Sequence, residues 1–152
     1  MMESLGHMGR DTTVTLLSKR MDMLPADLQE VFGLEADARV CHLVRVRSDG
    51  GRAFGHYVSW TPRFDASTAR KDFEIRSRME LFKAHGIKIA RVEQYLSAEG
   101  ASPEIARALD VTTGKPLLKL VRFSYDASGR LQDHLTARYN SDLFSYKMEA
   151  EV

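Results

Sequence analysis

The chain repeats itself. Gly33-Leu34 through Asp49 aligns without gaps on Asp110-Val111 through Asp126, a displacement of 77 positions, and one residue inserted in the second turn makes it 78 beyond that point. Leu43-Val44-Arg45 falls on Leu120-Val121-Arg122, Gly51-Arg52 on Gly129-Arg130, and His56 on His134. Each copy reads as a short helix, an apolar strand ending in arginine, an Asp/Gly turn and a returning strand. Two copies are too few for a solenoid, whose units stack in series. They predict a pseudo-symmetric sheet made from two helix-plus-hairpin units.

The rest of the pattern is consistent with an α+β chain and a mainly antiparallel sheet. Thr12 to Ser18 is β-branched and apolar, a first strand. Pro25 opens a helix over Ala26 to Phe32, with Leu28, Val31 and Phe32 on one face and Gly33 closing it. Val40 to Arg47 and Ala53 to Trp60 form a hairpin about Asp49-Gly50-Gly51. Asp65 to His85 is polar and helical, anchored by Phe73, Ile75, Met79, Leu81 and Phe82, with Gly86 as its C-cap. Ile87 to Leu96 reads as a strand. Ser102-Pro103-Glu104 starts a helix with a cap, a first-turn proline and an acid at the positive end of the dipole. Its buried stripe is Ile105, Ala108 and Leu109. Leu117 to Tyr125 and Leu131 to Tyr139 form the second hairpin, and Phe144 to Val152 a closing strand. Residues 1–11 read as a flexible N-terminal lead or a cloning remnant, so the domain runs over residues 12–152.

Strand periodicity then sorts the side chains. Cys41, Leu43, Arg45 and Arg47 share one face, and His42, Val44 and Val46 the other. In the second copy Leu118, Leu120 and Arg122 correspond to the arginine face. Successive same-face positions lie about 7 Å apart, close enough for Arg45 and Arg47 to grip one anion. The alternative is that both are solvated charges at a strand end, since half of an antiparallel sheet often faces water.

These residues resemble a known family. Leu43-x-Arg45-x-Arg47, the Asp49-Gly50 turn and an apolar strand ending at Pro62 resemble the UTRA domain, the C-terminal effector domain of the HutC branch of GntR-type regulators. Lys115-Pro116-Leu117-Leu118-Lys119-Leu120-Val121-Arg122, Tyr125-Asp126 to Gly129-Arg130, and Arg138-Tyr139 to Phe144 and Tyr146 fit the same pattern. The likeness covers Thr12 to Val152. It implies a chorismate-lyase-like fold, a six-stranded antiparallel sheet with helices packed on it and a ligand pocket between. It further implies a cytoplasmic homodimer that senses a small anionic metabolite, a carboxylate or a phosphate. Operator DNA would be contacted only through a separate N-terminal winged helix-turn-helix. Carried over by position, the ligand-binding residues are Arg45, Arg47, Tyr57, Ser77, Asp133 and Tyr139. Tyr57 stands where sugar-phosphate sensors carry glutamate, which favours a flatter or more apolar anion. At Ser77 the following Arg78-Met79 replaces the usual Leu-Tyr.

Other chemistry finds little support. Twenty-two basic against 21 acidic residues give a net charge of +1, so nothing in the overall charge attracts nucleic acid. The five histidines lack ligand spacing, so no metal or cofactor is expected. Asp133 and His134 are strand neighbours and point to opposite faces, which excludes a shared acid/base role in one pocket. There is no nucleophile elbow or phosphate loop. The chain is therefore expected not to be an enzyme, and a chorismate-lyase-like activity on a small carboxylate is the alternative. The single cysteine, Cys41, lies in an apolar run and cannot form an internal disulfide, as suits a reducing compartment.

Overall fold

The computed structural model describes residues 2–4 and 12–152. Its elements run β1 (Met2–Ser4), β2 (Thr12–Met23), α1 (Ala26–Phe32), β3 (Arg39–Asp49), β4 (Arg52–Thr61), α2 (Asp72–Ile75), α3 (Arg78–Ala84), β5 (Arg91–Gly100), α4 (Pro103–Leu109), β6 (Pro116–Tyr125), β7 (Leu131–Asn140) and β8 (Lys147–Glu149). Six strands form one antiparallel sheet in the order β2-β3-β4-β7-β6-β5, and β1 pairs with β8 in a separate ladder. The first of these lies within the stretch read as a lead; Met1 and residues 5–11 lie outside the described residues. No helix among the described residues is long and apolar enough to cross a membrane.

The strand order is a palindrome, and it shows that the duplication is larger than the sequence alignment. β2-α1-β3-β4 is repeated as β5-α4-β6-β7. Where β4 meets β7, Val58 pairs with Thr136, flanked by His56 with Arg138 and Trp60 with His134. Residues 58 and 136 differ by the repeat displacement, so a pseudo-two-fold passes through that pair, normal to the sheet. The helices obey it as well. α1 packs on β7 of the other unit and α4 on β4, both on one face. Both end on a left-handed residue at equivalent positions, Gly33 (φ 65°) and Asp110 (φ 53°). Ser102 caps α4 by accepting the Ile105 N–H at 3.2 Å.

The other face is where the units part company. Leu16, Cys41 and Leu43 pack there against Phe64, Phe73, Leu81 and Phe82, so α2 and α3 cover the β2–β3 side. Leu120, Leu135 and Tyr139 pack against Phe144, so the chain after β7 covers the rest. An opening is left between these two covers.

Several boundaries differ from the sequence reading, each for a local reason. β2 runs on to Met23 because a bulge at Leu17 lets it follow β3 in a new register. The single helix expected over Asp65 to His85 is two. Asp65 accepts hydrogen bonds from the Ser67 N–H and hydroxyl, a turn that competes with helix. Arg76 is then extended (φ −104°, ψ 144°) and separates α2 from α3. Ile75 and Met79, expected as anchors, are exposed, as is Val31 on α1. The stripe of α4 uses Ala106 where Ala108 was expected. β5 begins at Arg91, because the Ile87 N–H donates to Phe82 O (2.8 Å) and so closes α3. The closing strand shrinks to Lys147–Glu149, since Phe144 turns inward onto Tyr139.

Candidate ligand-binding site

The opening is a cavity of about 320 Å³ lined by Val14, Arg45, Arg47, Tyr57, Arg78, Met79, Arg122, Leu135, Tyr139, Phe144 and Tyr146. Three larger hollows, of about 420, 490 and 770 Å³, lie elsewhere. None of them has a buried, unpartnered guanidinium nitrogen in its lining, and this one has three.

Arg45 is the central observation. It sits in the middle of β3 with only 5% of its surface exposed, and its Nε has no hydrogen-bond partner. Among the described residues it meets no carboxylate at ion-pair distance. Burial pushes its pKa down to about 9, with the charge of Arg78 adding to the effect and Asp133 opposing it. It is still protonated at neutral pH, so the fold holds a charge out of water with little in return, at a cost of several kcal/mol. Partial compensation comes from the Tyr57 ring, 5.6 Å from the Arg45 guanidinium and 5.9 Å from that of Arg47. Arg47 is half-buried, and its Nε is equally unpartnered. The solvated-charge alternative is therefore excluded for Arg45.

The aromatic side of the cavity is continuous. Tyr57 faces Arg45 across the β3–β4 ladder and meets Tyr139 edge-on at 5.6 Å. Phe144 stacks on Tyr139 with centroids 3.7 Å apart. Burial raises the pKa of both phenols, so both remain neutral hydrogen-bonding groups. Gly55 allows this packing: a Cβ there would lie 2.8 Å from the Tyr57 hydroxyl. Gln94 of β5 braces two lining residues, accepting from Arg122 Nε (2.8 Å) and donating to the Tyr146 hydroxyl (2.9 Å).

Of the six residues singled out from sequence, Arg45, Arg47, Tyr57 and Tyr139 come together around this cavity. Ser77 and Asp133 stand behind it, and both place Arg78. The Ser77 hydroxyl accepts the Glu80 N–H (3.1 Å) and so caps α3, whose first residue is Arg78. Asp133 is 1% exposed; it accepts from Arg78 Nη2 and from the Thr61 hydroxyl, each at 2.5 Å. Sequence reasoning missed Arg78, Arg122, Phe144 and Tyr146 as lining residues. For Arg122 the signal was in hand, because the repeat places it on Arg45. Arg78 had only a helix cap before it, which says nothing about where its side chain goes.

Comparison with known proteins identifies the family and the fold. The UTRA domain model matches residues 7–145. The ligand-binding domain of a protein assigned to the GntR-family regulators of Bordetella bronchiseptica superposes with a TM-score of 0.86 at 25% identity, covering 98% of this chain and 96% of that one. The effector domain of PhnF from Mycobacterium smegmatis gives 0.78 at 22% identity, covering 86% and 82%. Against the longer PhnF chain the score is 0.83 at 22% identity, with 92% of this chain covering 64% of that one. No curated protein sequence matches. The UTRA match spans most of the chain and the fold is shared with these regulators, and the chain belongs to the UTRA domain family, the ligand-binding domains of GntR-family transcription regulators.

Proposed function

We propose that this domain binds a small anionic metabolite, a carboxylate or a phosphate, in the arginine cavity. Binding would govern DNA recognition by a separate winged-helix domain of the parent protein. The observation that carries the reading is Arg45, a buried guanidinium whose Nε has no partner, aimed with Arg47 into a cavity of ligand size. An anion would convert an unfavourable buried charge into charge-assisted hydrogen bonds. Every titratable group that lines the cavity is a guanidinium or a phenol. Neither suits general acid–base catalysis near neutral pH, which supports a binder over a lyase. Titration calorimetry against phosphorylated and carboxylated metabolites tests the reading. Binding should weaken about a hundredfold in Arg45→Met, and under tenfold in Arg122→Met, because Gln94 already holds Arg122. No binding by the wild-type domain, or full binding by Arg45→Met, overturns the proposal. Release of pyruvate from chorismate would establish the lyase instead.

Dimerisation belongs to the same proposal, and the two sheet edges differ in a way that supports it. The β2 edge is occupied: the Leu16 N–H donates to Glu74 (2.8 Å) and the Lys19 ammonium to Thr68 O (2.5 Å). Among the described residues no strand pairs with the outer edge of β5, which carries exposed Val92, Tyr95 and Leu96. An open, partly apolar edge strand is a template for a second strand, and a second copy of this chain would supply one.

A further inference from the structure

Building on the anion reading, we propose that Arg78 and Asp133 set the charge of the cavity so that it selects dianions over monoanions of the same shape. Arg45, Arg47 and Arg78 line the cavity. Among the described residues only Arg78 of these three has an ion pair, with Asp133. On the β3–α3 side, three guanidinium groups against one carboxylate leave two positive charges uncompensated; Arg122, the fourth in the lining, is already engaged by Gln94 on the opposite side. A monoanion would cancel one and leave the other buried; a dianion would cancel both.

Arg78 is built to take part. Its Nη2 is anchored to Asp133, while its Nη1 is buried and unpartnered. The guanidinium lies 5.0 Å from the Phe82 ring centroid, which fixes its plane from the helix side. Asp133 cannot turn toward the ligand as a competing anion, because each of its oxygens is engaged, one by Thr61 and the other by Arg78. Arg78 is also the strongest charge acting against protonated Arg45, after burial itself. Ligand charge placed in the shared cavity relieves that repulsion, and two charges relieve it more than one.

Sulfate and methanesulfonate form a matched probe pair, since both are tetrahedral sulfur oxyanions and they carry two charges and one. Titration calorimetry at pH 7.5 and constant ionic strength should give wild-type affinity for sulfate at least about tenfold above that for methanesulfonate. Succinate and butyrate, measured in parallel, ask the same question of carboxylates. Arg78→Gln should reduce the sulfate preference below about threefold, chiefly by weakening sulfate. Since that variant strands Asp133 without its partner, Arg47→Gln provides an independent reduction of the surplus by one charge, at a half-buried position, and should lower the preference similarly. Arg78→Gln/Asp133→Asn removes one charge of each sign and should keep the dianion preference. Equal wild-type binding of the two probes overturns the inference while leaving the anion site standing, as does an unchanged preference in Arg78→Gln or in Arg47→Gln. Binding of no anion at all defeats the underlying reading instead.

Discussion

The hairpins β3–β4 and β6–β7 are one plan built twice about the Val58–Thr136 pair, yet they give the cavity different things. The first supplies Arg45, Arg47 and Tyr57. At the equivalent places the second supplies Arg122 and Leu135, while Ser124, the counterpart of Arg47, is buried outside the lining. The segments that follow diverge as well: the chain after β4 brings Arg78 on α3, and the chain after β7 brings Phe144 and Tyr146. One half thus contributes most of the charge and the other most of the apolar wall. Duplication provides a frame with two equivalent positions facing one space. A few substitutions and two unequal covers turn that frame into a polarised site, which a strictly symmetric molecule could not offer to an asymmetric ligand.

The frame itself should behave as a matched pair, and this gives the largest expected effect. Leu43 and Leu120 occupy equivalent positions and are each 1% exposed. Each packs on the cavity face, one under α3 and the other under Phe144. Leu43→Ala and Leu120→Ala should each cost about 3 kcal/mol, within the range for a buried leucine whose site only partly collapses. Urea unfolding measures both. A difference above about 2 kcal/mol would mean that the covers, and not the shared sheet, dominate stability on this face.

The frame was legible in the sequence for the same reason that it is symmetric. Leu43-Val44-Arg45 and Leu120-Val121-Arg122 announce both the repeat and, through the strand period, which side chains share a face. The caps at Gly33 and Ser102 could be read because each meets a backbone requirement local to its own turn. The covers were not legible. Whether Arg76 would break a helix depended on Ser77 capping a new one, and Met79 has the spacing of an anchor although it lies exposed at the rim of the cavity. The site divides along the same line. Arg45, Arg47, Tyr57 and Tyr139 sit on strands, where direction follows from period. Arg78 and Phe144 sit on the covers, where direction is decided by contacts far away in sequence. Asp133 shows the limit most clearly: its residue type and face were right for a pocket, but its charge is already engaged by Arg78.

The outer strands of the two units offer the next contrast, β2 closed and β5 open. Leu17 and Leu96 are both exposed apolar residues on these edges, 50% and 43% respectively. Leu96→Lys should weaken self-association at least about tenfold, since a charge on an edge strand opposes edge-to-edge pairing. Leu17→Lys should leave it unchanged. Sedimentation velocity across a concentration series reads both. A dimer indifferent to Leu96→Lys, or a monomeric wild-type domain, removes β5 from the interface.

The smallest expected effect separates two histidines that the repeat makes equivalent. His56 and His134 face the side of the sheet that carries α1 and α4, and burial lowers both pKa values below the ordinary 6.5. Their neighbours differ in sign. Arg138, across the ladder from His56, lowers it further, while Asp133 and Asp27 pull His134 back up. His42 is lowered too, by burial and then by Arg20. Below about pH 6.5 the unfolded chain therefore binds more protons than the folded one. These histidines leave stability intact above that pH and erode it as the pH falls from there through the folded pKa values. Unfolding free energies at pH 7.5 and 5.5 should show the loss, and His56→Leu should flatten it more than His134→Leu. In a ring-resonance titration His56 should protonate at lower pH than His134. The reverse order would mean that the Asp133 carboxylate, held by Arg78 and Thr61, is too well compensated to be felt on the opposite face, and that the difference between the two copies is confined to the cavity side.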